Sequence, residues 1–100
     1  MTPLRAYKIF QQDFLKLEKL NINEIMQLAY AVNVVAWHHL QKNRKYKTEL
    51  FSNYYYDIKK YVLESDIFTE KEKKLFRKEI ENFVEPDCND KKCEKCGSKI

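Results

Sequence analysis

Three cysteines fall in the last thirteen residues as Cys88-x4-Cys93-x2-Cys96, and the chain's single glycine, Gly97, follows the third directly. Two thiolates two residues apart can chelate one ion, and a glycine beside them lets the backbone fold back toward the sulfurs; this is the chemistry of a zinc knuckle. Cys88, Cys93 and Cys96 therefore form three ligands of an expected Zn2+ site, and a structural site of that kind requires a fourth. His38, His39, Asp87, Asp90 or a cysteine of another chain could supply it. His39 is the assigned ligand, because it continues the inward stripe Ile25, Leu28, Val32 and Val35 near the end of a helix. An odd, clustered set of thiols makes a poor disulfide framework and fits a reducing compartment.

A second group of residues suits phosphate and base recognition. Lys42, Arg44, Lys45 and Lys47 surround Tyr46, and Tyr54, Tyr55, Tyr56, Lys59, Lys60 and Tyr61 follow. Residues 42–61 hold six basic against two acidic side chains, a balance equal to the net +4 of the whole chain. Cations attract the nucleic-acid backbone and tyrosine rings give unpaired bases a surface to stack on. Lys42, Arg44, Lys45, Tyr46, Lys47, Lys59 and Lys60 are the expected nucleic-acid contacts, with Tyr55 assigned to the core.

Other chemistry finds little material. The only glycine lies in the tail, so there is no glycine-rich phosphate loop, and no serine sits in a nucleophile elbow. His38-His39 has no acidic pair or nucleophile tied to it by spacing, so no catalytic residue is assigned and an enzyme is not expected. The mixed charges from Glu70 to Glu81 read as a solvated helix face.

These residues must be positioned by helices. One hundred residues, 44% of them hydrophobic, suffice for one compact core, and one glycine with two prolines leaves little raw material for hairpins. Thr2-Pro3 starts a helix, with Tyr7, Phe10, Phe14 and Leu17 at helical spacing. Asn21 and Glu24 form a capping box that opens a second helix, apolar on nearly every side and hence central, with Trp37 in its most apolar part and expected to be buried. Asn43 is a candidate left-handed cap at its end. A third helix carries Phe51, Tyr55, Ile58 and Val62. Thr69 and Glu72 open a fourth, marked by Leu75, Phe76, Ile80 and Phe83 and ended by Pro86.

The expected fold is all-α: a compact four-helix domain over 1–86, with helices at about 3–20, 22–45, 49–65 and 70–85, followed by a cysteine-rich metal-binding tail over 87–100. The longest apolar region, Ile25 to Trp37, is too short to span a bilayer, which needs about 20 apolar residues. The first twenty residues lack the apolar run of a secretory signal. An intracellular, cytoplasmic protein without membrane association is expected.

The tail resembles half of a zinc-ribbon or treble-clef knuckle over residues 88–97. That motif is shared by many unrelated proteins and carries no functional residues across. The functional expectation is a zinc-stabilised helical adaptor or regulator of a nucleic acid or nucleoprotein complex. The competing class is a protein-only interaction module, such as a small inhibitor encoded by a phage or mobile element, or a subunit of a larger complex. A homodimer is a further expectation, since three cysteines per chain and an apolar central helix both invite a partner.

Overall fold

A computed structural model describes residues 2–81 of the chain. They form four α-helices and no strand: α1 (Pro3–Asp13), α2 (Ile22–Gln41), α3 (Lys45–Glu64) and α4 (Glu70–Glu81), with a 3-10 segment over Phe14–Lys19.

The helix starts follow their local chemistry. Arg5 N donates to Thr2 Oγ1 at 3.3 Å ahead of Pro3, where the missing N–H leaves no donor unmatched. At Asn21 the capping box is reciprocal: Glu24 N donates to Asn21 Oδ1 (2.9 Å) and Asn21 N donates to Glu24 Oε1 (3.1 Å). Thr69 and Glu72 repeat it at 3.1 and 3.0 Å.

The first helix does not continue to residue 20 as expected. Beyond Asp13 the chain tightens to a 3-10 segment broken at Lys16 (φ −105°, ψ 17°). Phe14, Leu17 and Leu20 are spaced by threes, and a period of three aligns all of them on the core side. Leu15, off that register, is 90% exposed.

α2 is the central element, in contact with α1, α3 and α4. Ile25, Leu28, Val32, Val34 and Val35 are fully buried along it, as expected of a helix without a polar face. α2 and α3 form an antiparallel hairpin, since His39 packs on Phe51 while the earlier Asn33 bonds the later Tyr55. Between α1 and α3 lies an aromatic seam of Tyr7, Phe10, Phe14, Phe51 and Tyr54, with ring centroids 5.0 to 6.2 Å apart. α4 adds Phe76, fully buried, and Ile80, half-buried, whereas Leu75 is exposed and lies outside the core expected for it. A cavity of about 20 Å³ between α2, α3 and α4, bordered by Met26, Asn33, Tyr55 and Phe76, has room for a single water.

The corner between α2 and α3 corrects the expected boundary. Asn43 adopts φ 57°, its N–H bonds Leu40 O (3.1 Å), and Arg44 N bonds His39 O (2.9 Å). This pair of bonds is a Schellman closure, the reason asparagine serves here. Arg44 then opens α3 directly, its carbonyl accepting from Thr48 N. α3 thus begins at Lys45, not Glu49. Lysines are unfavourable near the positive end of a helix dipole, which is why the residue types alone point to the later start.

Candidate functional site

The expected contact residues separate into two groups. Lys42, Arg44 and Lys47 gather around the histidine pair at the end of α2: the charges of Arg44 and Lys42 bear on His38, and those of Lys47 and Arg44 on His39. Lys45, Tyr46, Lys59 and Lys60 instead belong to the outward side of α3. At 100° per residue, Lys45, Glu49, Tyr56 and Lys60 fall within one face, with Tyr46 about a quarter-turn away. Lys45 and Lys60 are exposed and Lys59 is half-buried. Tyr46 and Tyr56 are 76% and 63% exposed, whereas Tyr54, Tyr55 and Tyr61 pack against the core. From Lys45 to Lys60 this face runs about 22 Å along the helix axis. The first turn of α3 has neither an acidic side chain nor a side-chain cap, so the positive end of its dipole adds to the lysines.

The histidine pair is the most unusual feature of the interior. His38 and His39 are 1% and 0% exposed, with ring centroids 5.4 Å apart in a T-shaped contact. His39 also stacks on Phe51 at 5.6 Å. Burial, followed by the neighbouring His38, Lys47 and Arg44, lowers the His39 pKa to about 4. Burial, then Arg44 and Lys42, lowers that of His38. Both rings are neutral at pH 7 and add nothing to the cationic surface.

Arg44 Nη1 lies 3.5 Å from His39 Nδ1. A guanidinium only donates, so Nδ1 accepts and the proton of the neutral ring resides on Nε2. The inward position expected for His39 is therefore present, but its lone pair is directed at Arg44. His38 is buried as well, where the helical pattern placed it to one side; a helix apolar all round gives no phase from which its burial could be read, apart from Val34 and Ala31 one and two turns before it. Trp37 departs from the expected burial. It is half-buried, although its Nε1 is inaccessible and unpartnered.

Cys88, Cys93 and Cys96 lie outside the described residues, as do Phe83 and Pro86. Among the described residues no group of three or more His, Cys, Asp or Glu side chains could hold a metal ion. No helix there is long and apolar enough to cross a membrane. No family model, no curated protein and no solved structure matches the chain.

Proposed function

We propose that this chain is a small non-enzymatic adaptor or regulator that binds nucleic acid, alone or within a nucleoprotein complex, through the outward face of α3, with zinc held by its cysteine-rich tail. The observation that carries the reading is the pair of tyrosines, Tyr46 and Tyr56, left 76% and 63% exposed on a helix face that also presents Lys45 and Lys60. Exposed rings beside cations combine stacking surface with phosphate attraction. Zinc rests on the spacing of Cys88, Cys93 and Cys96.

The test must spare the fold. Arg44 contacts His39 and forms the corner, so its reversal would confound binding with stability. Lys45 and Lys60 are free of that objection, and exposed substitutions change stability by less than about 0.5 kcal/mol. Lys45→Glu with Lys60→Glu is expected to weaken binding to a labelled oligonucleotide whatever its sequence, and to flatten the log–log salt dependence by roughly one unit per lost phosphate contact. Tyr56→Ala is expected to weaken single-stranded binding more than duplex binding. Unchanged binding in the double reversal removes this face as the site. Absence of binding by the wild-type chain at about 100 mM salt favours the protein-only module instead.

A further inference from the structure

The lysines on the outward face of α3 are matched there by carboxylates. Along the helix the face runs Lys45, Glu49, Lys60, Glu64, alternating in sign, and all four side chains are exposed. Within each Lys–Glu pair the lysine comes first, the weaker order for residues four apart on a helix. Neither pair closes: none of the four side chains is in an ion pair among the described residues. A phosphate backbone has no use for Glu49 and Glu64. A row of alternating signs, however, is complementary to its own reversal.

We propose that the outward face of α3 pairs antiparallel with the same face of a second copy of this chain, and that this pairing and strand binding are alternative uses of one surface. The second clause rests on the nucleic-acid reading above; the first does not.

The signs set the register. A two-fold axis level with the middle of α3, between Tyr54 and Tyr55, brings Glu49 level with Lys60 of the second copy and Lys45 level with Glu64, each contact occurring twice. At 100° per residue Glu49 and Lys60 lie within about 20° of one direction, so they meet squarely, while Lys45 and Glu64 close the flanks at the ends. Asp57, a further carboxylate at the edge of the face, comes level with the neutral Ser52.

The exposed aromatic rings agree with the same register. The two copies of Tyr56, 63% exposed, fall on either side of the axis with a stagger of about three residues, or about 4.5 Å, within the range of an offset aromatic pair. Tyr46, 76% exposed, comes level with an open hollow bordered by Asp57, Lys60, Tyr61, Glu64 and Ser65 of the second copy. A ring left in solvent at one end of a helix and a hollow at the other are what a two-fold axis unites. The area is small. One helix face of about 30 Å by 10 Å per copy gives on the order of 600 Å² in total, less than the roughly 1,200–2,000 Å² of stable interfaces. The pair is therefore weak and exchanges freely, and on strand binding Lys45 and Lys60 exchange carboxylates for phosphates.

The experiment is sedimentation of the full chain under reducing conditions at about 100 mM salt, from about 10 μM to about 1 mM protein. The mass is expected to rise with concentration toward that of a dimer. Glu49→Lys sets lysine against Lys60 twice, Lys60→Glu sets glutamate against Glu49 twice, and each is expected to weaken association at least about tenfold. Glu49→Lys combined with Lys60→Glu restores both contacts with their signs exchanged and is expected to associate within about threefold of wild type. A wild-type mass that stays monomeric to about 1 mM, association indifferent to either reversal, or a double exchange no better than the single ones overturns the pairing. Both positions are exposed; should a reversal nonetheless fail to fold by far-UV circular dichroism, Tyr56→Ala takes its place, with loss of association expected and unchanged association overturning the pairing. The same chains separate this inference from its parent. Glu49→Lys removes a carboxylate from beside the strand, so it is expected to strengthen oligonucleotide binding while it weakens self-association, whereas Lys60→Glu weakens both. An oligonucleotide that binds without dissociating the pair overturns the exclusive use of the face. A chain that associates but binds no oligonucleotide overturns the nucleic-acid reading and leaves the pairing standing.

Discussion

A histidine that is charged in water but neutral in the fold makes a protein sensitive to mild acid. The His39 ring titrates at the ordinary 6.5 when the chain is unfolded and at about 4 when folded. Between those values the unfolded chain binds more protons, so stability rises with pH through this window; it is intact above 6.5 and is lost as pH falls toward 4. At about 1.4 kcal/mol per unit, the loss is on the order of 3 kcal/mol, and His38 adds to it in the same direction. Urea midpoints measured with a chelator present are expected to fall steadily from pH 7 to pH 4, and His39→Gln is expected to flatten that slope. An unchanged slope would assign the acid sensitivity elsewhere. Residues whose chemistry is local were the legible ones: Asn21, Thr69 and Asn43 act on backbone groups within three residues, and each does what its type suggests. His38 and Trp37 were not legible, because their surroundings depend on how α1 and α3 close around α2, and α2 has no polar face to fix its rotation.

At the scale of elements, the α2–α3 corner holds the site together. It turns the chain within Lys42, Asn43 and Arg44, and in doing so it sets Arg44 against His39 and brings Lys45 and Tyr46 into the first turn of α3. Because Asn43 is left-handed at φ 57°, Asn43→Val is expected to cost about 1–2 kcal/mol, whereas Asn43→Gly should leave the chemical midpoint close to wild type, since glycine adopts this conformation freely. Asn21→Ala, which removes one half of a capping box, is expected to cost about 1 kcal/mol. Equal effects of Val and Gly at position 43 would contradict the backbone argument. The early start of α3 was hidden by its own lysines, which disfavour a helix N-terminus; the Schellman closure overrides that preference. The shift of register after Asp13 was hidden for another reason. Phe14, Leu17 and Leu20 fit a period of three, but a neighbouring α-helical pattern absorbs the first two.

At the scale of the whole molecule, residues 2–81 hold a hydrophobic core of their own, with Ile25, Ile58 and Phe76 fully buried. If the tail binds zinc as proposed, a chelator is expected to remove the metal and leave most far-UV helical signal intact; collapse of that signal would make the metal central to folding. The all-helical class was legible because composition agrees with the caps at Thr2, Asn21 and Thr69, whereas a partner was not, since recognition depends on which side chains remain outside. The connectivity of the hairpin also governs how the molecule forms. With only three residues between α2 and α3, closing that pair loses little chain entropy, and contacts so near in sequence favour fast folding. The hairpin should therefore be assembled in the folding transition state and α4 should dock afterwards. Stopped-flow measurements are expected to show Val35→Ala and Ile58→Val slowing refolding, with φ-values above about 0.5. Phe76→Leu is expected chiefly to accelerate unfolding. A chain built this way covers α4 last in folding and releases it first in unfolding, so α4 parts from α2 and α3 while the hairpin those two form is still intact.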